Sequence, residues 1–138
     1  EGVILLDTNI CIAAIRDERR VISRMAQYQG RLYLPFVVAA ELQFGLEKLE
    51  RLGQPAQTAK RRTERFLSIV DGVLFGSDGL LRAYARLRAE LEIAGTPISP
   101  NDLWIAAQAL AEGATLDTAN IREFEHVSGL RLENWLKR

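Results

Sequence analysis

A chain of 138 residues is long enough to form one domain with a substantial buried core. It has no segment with the roughly 20 continuous apolar residues that a membrane-spanning helix needs, and Glu1 and Asp7 on either side of the first apolar run argue against a signal peptide. The 18 basic residues balance the 18 acidic ones, so the chain lacks the excess positive charge of proteins that hold nucleic acid mainly through phosphate contacts.

Strand-like and helix-like segments alternate along the chain. The apolar run that ends at Leu6 predicts a strand covered on both faces, because a half-exposed strand would alternate with polar residues. Four further short apolar segments predict strands as well. The predicted strands are Gly2–Leu6, Arg31–Pro35, Gly72–Phe75, Thr115–Thr118 and Leu130–Leu132.

Helices are predicted between these strands, from apolar residues at helical spacing and from glycines that follow several segments. They are Thr8–Ile15, Val21–Tyr28, Val37–Leu52, Gln57–Val70, Leu80–Ala94 and Asn101–Glu112. Inward-facing positions are predicted at Val38, Leu42, Gly45, Leu46 and Leu49 in the third helix, and at Phe66, Ile69 and Val70 in the fourth. The alternation predicts an α/β fold with a central parallel β-sheet flanked by α-helices, since right-handed crossovers place helices on both faces.

Three acidic residues are candidates for one site. Asp7 follows the first strand, Glu41 lies in an apolar part of the third helix, and Asp102 lies in the first turn of the sixth helix. Ligands bind beyond the carboxyl ends of the strands in such sheets. Buried carboxylates repel one another, and oxygen donors without a His or Cys cluster favour a hard divalent ion such as Mg²⁺ or Mn²⁺.

A structural interpretation of Asp102 stands beside this one. Ser99 as N-cap, Pro100 at the first helical position and Asp102 three residues after the cap form the pattern of a capping box. A capping role alone would explain Asp102, and the sequence leaves both interpretations open.

Four segments carry a resemblance to a known family. They are Leu5-Leu6-Asp7-Thr8-Asn9, Ala40-Glu41-Leu42, Asn101-Asp102-Leu103-Trp104-Ile105-Ala106-Ala107, and the tail with Arg122-Glu123-Phe124, Gly129-Leu130 and Glu133-Asn134-Trp135. In these segments the chain resembles PIN-domain proteins, and among them the VapC toxins of VapBC toxin–antitoxin pairs. The resemblance extends over essentially the whole chain, which implies a single PIN domain over residues 1–138.

The resemblance implies a Mg²⁺- or Mn²⁺-dependent endoribonuclease that cuts structured RNA, often a tRNA, and slows translation. By position, Asp7, Glu41 and Asp102 match the three core acids of the metal site, and Asn120 matches a fourth position that is often Asp. The neutral amide of Asn120 compensates less charge, which puts a second tightly held metal ion in doubt. The resemblance also implies a cognate VapB antitoxin and a toxin homodimer.

For several other residues, a structural role and a functional role are both possible. Asp117 takes a place where the family usually has an apolar residue. We expect Asp117 to be an acid at the sheet edge or the surface, and the alternative is that it serves as a substitute metal ligand beside Asn120. Thr8 and Thr118 have hydroxyls suited to orienting the acids, or to capping and strand-end hydrogen bonds. Trp104 is expected to pack in the core; stacking on a base of the RNA is the alternative.

For the reaction, the sequence predicts a cation-bound water that attacks a phosphodiester, and either Glu41 or Asp102 accepts its proton. His126, the one histidine, is expected at the surface. Cys11, the one cysteine, excludes an internal disulfide; it is expected in the core and favours the reducing cytoplasm.

Two basic segments permit an RNA partner, although such runs are more often solvated helix faces. They contain Arg16, Arg19, Arg20 and Arg24, and Lys60, Arg61, Arg62 and Arg65. The apolar residues Phe44, Leu46, Leu49 and Phe66 either offer a groove for an amphipathic antitoxin segment or belong to the core.

Functions of other classes fit less well. A receiver domain needs an acceptor Asp on a middle strand, which Val73-Leu74-Phe75 does not offer, and a late Lys, which does not occur before Lys137. A haloacid-dehalogenase phosphatase needs two Asp separated by one residue, whereas Asp7-Thr8-Asn9 has one. A nucleic-acid-binding module without cleavage activity and a DNA-cutting relative remain as alternatives.

Overall fold

A parallel sheet lies at the centre of the computed structural model, which describes residues 2–137. Its strands are β1 (Ile4–Leu6), β2 (Leu32–Pro35), β3 (Gly72–Leu74), β4 (Thr115–Asp117) and β5 (Arg131–Glu133). They are hydrogen-bonded in the order β3-β2-β1-β4-β5, and every neighbouring pair is parallel. The predicted α/β class and central parallel sheet are confirmed.

Helices connect these strands on both sides of the sheet. Within residues 2–137 they are α1 (Thr8–Ile15), α2 (Arg19–Gln27), α3 (Phe36–Arg51), α4 (Gln57–Ile69), α5 (Asp78–Ile93), α6 (Pro100–Glu112) and α7 (Ile121–Phe124). The sequence prediction missed α7, because four residues are too few to establish a helical period. None of these helices is both long and apolar enough to cross a membrane.

The central strands and the sixth helix form the core. All three residues of β1 are buried, as expected for a strand covered on both faces. In α6 the buried residues run without interruption from Ile105 to Ala109, and Gly113 ends the helix in the left-handed conformation at φ 62°. Small side chains in this stretch allow the helix to pack closely against the sheet.

Two predicted inward-facing patterns need correction. In α3 the buried positions end at Leu42, and Gly45 is exposed, so the second half of this helix extends away from the core. In α4, Phe66 and Val70 are buried as predicted, but Ile69 is 49% exposed. Ile69 faces a groove between α1, α2 and α4 that no side chain of the described residues fills.

The register of the sheet determines which residues meet at its carboxyl edge. Leu6 pairs with Asp117, and Asp117 pairs with Glu133, so β1, β4 and β5 end in one row. The backbone N–H of Asp7 donates to Asp117 O at 2.9 Å, and the N–H of Thr118 donates to Glu133 O at the same distance. Asp7 and Thr118 therefore lie side by side just beyond the last paired residues.

Candidate active site

Asp7 is held rigidly at the carboxyl end of β1. Its Oδ1 accepts the backbone N–H of Thr8 at 2.8 Å, and its Oδ2 accepts the hydroxyl of Thr118 at 2.7 Å. Thr118 is fully buried, and its Oγ1 in turn accepts the N–H of Asn120 at 3.0 Å. Asp7 itself is only 7% exposed. A buried carboxylate with two fixed donors has a defined orientation. The hydroxyl of Thr118 makes the contact that its predicted supporting role needs, whereas Thr8 contributes its backbone N–H, so a role for the Thr8 hydroxyl stays a prediction.

The hydrogen bonds around Asp102 differ from those of the predicted capping box. Ser99 is the N-cap and Pro100 the first helical residue, but the Ser99 side chain accepts no backbone N–H of α6. Instead its hydroxyl donates to Asp102 Oδ2 at 2.9 Å. The N–H of Ser99 donates to Glu123 Oε1, at 3.4 Å, rather than to Asp102. The capping-box interpretation of Asp102 is therefore wrong, and the Ser99 hydroxyl fixes one oxygen of the Asp102 carboxylate.

The pKa of Asp102 reflects its burial and the charges of other acids. Its pKa is raised above the ordinary value, first by burial and then by the negative charges of Asp7 and Glu123, while the bond from Ser99 lowers it. Asp102 lies on α6 and Glu123 on α7, whereas Asp7 directly follows β1, so the three acids come from distant parts of the sequence. Such mutual repulsion is relieved when a cation or a proton binds.

Glu41 is joined to the same region through an amide. It lies in the second turn of α3, half-buried, and its Oε1 accepts the Nδ2 amide of Asn101 at 2.9 Å. Asn101 directly precedes Asp102 in the first turn of α6. The structure thus brings Glu41 next to the helix end that carries Asp102.

Asn120 and Glu123 follow the last strand of the site. Asn120 is exposed and is the N-cap of α7, although its side chain makes no capping hydrogen bond. Glu123, in the first turn of α7, is the functional candidate that the sequence analysis did not single out. Its position in the first helical turn after β4, three residues after Asn120, is the feature of the sequence that could have indicated a site residue.

The donor set at the carboxyl edge fits a hard divalent cation. Among residues 2–137, no three His, Cys, Asp or Glu side chains lie close enough together to hold a metal ion. Asp7 and Asp102 do repel one another, and both present carboxylate oxygens. Mg²⁺ is usually bound by one or two carboxylates, with waters completing its octahedron. The pair therefore fits such an ion, whereas the participation of Glu41 stays a prediction.

Asp117 is not the surface acid that we expected. It is fully buried, because β4 lies between β1 and β5 and is covered on its faces. Its Oδ1 accepts the N–H of Trp135 at 3.0 Å, and its Oδ2 has no partner. Burial is the main cause that raises the pKa of Asp117 to about 7, and the negative charges of Glu133 and Asp7 raise it as well. The Trp135 N–H and the positive charge of Arg24 lower it. Asp117 therefore holds the C-terminal segment, and its role as a substitute ligand stays a prediction.

Three further predictions on single residues are confirmed. Trp104 packs against Tyr84, with ring centroids 3.9 Å apart, and meets Phe36 edge-on. The His126 side chain is 57% exposed, beside Glu125. Cys11 is fully buried, and its pKa is raised well above the ordinary value by burial and by the charges of Asp7 and Asp117. Its thiol is therefore protonated and packs as a small apolar group.

A groove of about 440 Å³ lies between α1, α2 and α4. Of the four apolar residues predicted to form a groove, only Phe66 lines it, whereas Phe44 is 58% exposed on α3. Its lining is mainly apolar and also includes Asp17, Gln29 and two arginines of the second basic segment. The lining residues are Ala14, Ile15, Asp17, Ile22, Met25, Ala26, Gln29, Arg62, Arg65, Phe66 and Ile69.

This fold agrees with comparisons with known proteins. Residues 4–130 match the protein family described as PIN domain. Ribonuclease VapC2 of Rickettsia felis is 37% identical over 98% of this chain and 99% of its own length. The tRNA(fMet)-specific endonuclease VapC of Shigella flexneri is 36% identical over 95% of this chain and 96% of its own.

The chain belongs to the PIN-domain family, in its VapC branch. A solved structure of DNA-bound VapBC from Salmonella typhimurium superposes with a TM-score of 0.83 and 31% identity, over 98% of this chain and 99% of that one. VapBC2 of Rickettsia felis, bound to a promoter DNA fragment, gives a TM-score of 0.83 and 33% identity, over 96% and 98% of the two chains. The resemblance inferred from the sequence segments is confirmed.

Proposed function

We propose that this protein is the toxin of a type II toxin–antitoxin system, a divalent-metal-dependent endoribonuclease that hydrolyses RNA phosphodiester bonds. The observation that carries the proposal is the fixed carboxylate of Asp7 at the carboxyl edge of the sheet, whose charge contributes to the raised pKa of Asp102, in a chain of the VapC branch. One parallel sheet with a continuous core supports a single PIN domain over residues 1–138.

The proposed roles of Asp7 and Asp102 are supported by their contacts, and those of Glu41 and Asn120 by the sequence resemblance. Asp7 and Asp102 would hold Mg²⁺ or Mn²⁺, with Glu41 as the third ligand and the Asn120 amide beside them. When bound, the ion supplies a more acidic water and neutralises charge on the phosphate oxygens. The Thr118 hydroxyl keeps Asp7 in position, and the Ser99 hydroxyl does so for Asp102.

Proton transfer is assigned to the acids at the start of α6 and in α3. Asn101 donates to Glu41 and fixes one of its oxygens, which leaves the other oxygen to accept a proton from the attacking water. Asp102 is the alternative acceptor, and burial makes its carboxylate more basic. Asp117 accepts the N–H of Trp135, so we assign it no part in proton transfer. Its alternative role is that of a metal ligand in place of Asn120.

The substrate that the relatives favour is a tRNA. Two relatives, from Shigella flexneri and Salmonella typhimurium, are named tRNA(fMet)-specific endonucleases, at 36% and 30% identity. Cleavage of a tRNA would inhibit translation, which is how such a toxin would act. The site of action would be the cytoplasm, where the substrate is found.

A VapB-type antitoxin is the proposed partner, because the solved relatives are VapBC complexes. The apolar groove between α1, α2 and α4 is suited to an amphipathic segment of that partner. A toxin homodimer is proposed as well. The exposed apolar side chains of Phe44 on α3 and of Leu81 and Ile93 on α5 support it, since a second copy would remove such groups from water.

The test compares wild type, Asp7→Asn and Asp78→Asn on bulk tRNA, with Mg²⁺, with Mn²⁺ and with EDTA. Asp78 is an exposed acid in the first turn of α5, so Asp78→Asn makes the same chemical change away from the site. We expect discrete cleavage by wild type and Asp78→Asn with either metal, and none by Asp7→Asn or in EDTA. Absence of cleavage by the antitoxin-free wild type would favour the binding-module alternative, and cleavage of DNA instead would favour a DNA-cutting enzyme.

A further inference from the structure

A second pocket, open and basic, lies between α2 and the segment after β5. Its volume is about 420 Å³. It is lined by Arg19, Arg20, Ser23, Arg24, Asn134, Trp135 and Lys137. Four of these seven side chains are cationic and none is acidic. In a chain whose net charge is zero, this is a local concentration of positive charge.

The charges in this pocket are only partly neutralised by neighbouring acids. Arg20 contacts Glu18 at 3.1 Å, and Arg24 contacts Glu133 at 3.5 Å while it lies over the ring of Trp135. Arg19 and Lys137 form no ion pair within residues 2–137. The pocket therefore keeps two cations available for an anionic ligand, beside two that are held in place.

The polar groups of the pocket are hydrogen-bond donors. Asn134 uses its Oδ1 to accept the N–H of Leu136, so its amide N–H groups remain to donate. Ser23 is exposed and contributes a hydroxyl. Trp135 is only 2% exposed, so it offers no face on which a base could stack. Cations and donors without a stacking surface are suited to phosphate groups rather than to bases.

The pocket lies at the same edge of the sheet as the candidate active site. Asn134 directly follows Glu133, which shares a row with Leu6, and Asp7 directly follows Leu6. Strands β1 and β5 are separated by β4 alone, so the pocket begins about 10 Å from the strand that carries Asp7. One RNA strand is able to reach both places.

We propose that this pocket binds a backbone phosphate of the RNA substrate, next to the nucleotide that is cleaved. The proposal rests on the proposed ribonuclease function and adds a binding site to it. The interaction is independent of base sequence, since it engages only the backbone. It would anchor the RNA strand so that the scissile phosphate lies at Asp7 and Asp102.

The test measures binding of bulk tRNA to a triple variant, Arg19→Gln/Arg20→Gln/Lys137→Gln, in an Asp7→Asn background that does not cleave. Arg24 is left unchanged because it packs against Trp135. The matched control is Lys48→Gln/Arg82→Gln/Arg86→Gln, which removes three exposed cations that lie outside both basic segments. We expect the pocket triple to raise the Kd for tRNA about tenfold. The slope of log K against log salt concentration should become smaller by about 2, because each phosphate that the protein no longer neutralises contributes about 0.7 to that slope. The control should change the Kd less than about threefold.

Equal weakening by both triples would overturn the proposal, because it would show a general charge effect. Unchanged RNA affinity with weaker antitoxin binding would also overturn it and assign the pocket to the protein partner. With Asp7 intact, the pocket triple should raise KM and leave kcat unchanged. If wild type cleaves tRNA and the pocket triple has the same KM, the pocket proposal fails and the proposed ribonuclease function stands. If wild type cleaves nothing, the proposed ribonuclease function fails, and the Kd for tRNA still tests the pocket. Should the triple unfold, Arg19→Gln and Lys137→Gln singly should each raise the Kd and lower the salt slope.

Discussion

The Thr118 hydroxyl donates a 2.7 Å hydrogen bond to the Asp7 carboxylate, and these two residues are 111 positions apart in the chain. Both are buried, so no solvent molecule readily replaces the donor if it is removed. The orientation of the proposed metal ligand on β1 therefore depends on a residue that follows β4.

We expect Thr118→Val to lower kcat/KM by about 10- to 100-fold, as for other groups that orient metal ligands. The free energy of unfolding should fall by about 1–3 kcal/mol, because a carboxylate oxygen is left without its donor. Thr118→Ser should keep most of the activity. Thr115→Val, the same change at the opposite end of β4, should leave cleavage almost unchanged. Equal losses in Thr118→Val and Thr118→Ser would contradict a role for the hydroxyl.

Glu123→Gln should move the acidic limb of the pH–rate profile to lower pH. The charge of Glu123 is one of the causes that raise the pKa of Asp102, and glutamine keeps an oxygen for the N–H of Ser99. A carboxylate must be deprotonated to bind a cation, so a lower pKa extends activity toward acid. Glu125→Gln, an exposed neighbour, is the control. A limb that stays in place, or that moves to higher pH, would refute the electrostatic role of Glu123.

Asp117→Asn should remove part of the pH dependence of stability. The pKa of Asp117 rises from 3.8 to about 7 on folding, so between these values the folded state holds a proton that the unfolded chain has released. The free energy of unfolding of wild type should therefore fall as pH rises from about 4 to about 7, by at most about 4 kcal/mol from this group. Urea unfolding at pH 5 and pH 8 in EDTA measures the difference. It should be smaller in Asp117→Asn, and an identical difference in both proteins would show that Asp117 is already ionised.

Divalent cations should stabilise the folded protein through Asp7 and Asp102. We expect saturating Mn²⁺ to raise the Tm by about 3–6 °C, because binding relieves the repulsion between these two carboxylates. Asp7→Asn should lose this shift, and Asp78→Asn should retain it. Thermal unfolding with Mn²⁺ and with EDTA measures it independently of cleavage. A shift of the same size in Asp7→Asn would place the ion elsewhere.

Local patterns in the sequence predicted the strands, the helices other than α7, and the positions of Asp7 after β1 and Asp102 in the first turn of α6. The apolar run before Asp7 predicted a buried strand, and Ser99-Pro100 predicted the start of α6. The predicted helix Gln57–Val70 also agrees with α4 to within one residue. These features depend on neighbours within a few positions, and such neighbours are visible in the sequence.

The interactions that complete the site were not visible in this way. The Ser99 hydroxyl turns toward Asp102, and its N–H toward Glu123, because α7 packs beside the start of α6. Asp117 is buried because β5 and the segment at Trp135 cover β4. Each outcome depends on segments that are distant in the chain, so periodicity and local motifs carry no information about it.

The departure of α3 from the core after Leu42 gives one helix two different stabilities. Its first half is buried against the sheet and carries Glu41, whereas its second half has exposed positions from Gln43 to Gly45. Backbone amides in the second half should exchange with deuterium faster than those around Val38, since little packing opposes local opening there. A second copy that covers Phe44 would slow this exchange, while the amides near Glu41 would stay protected in either state.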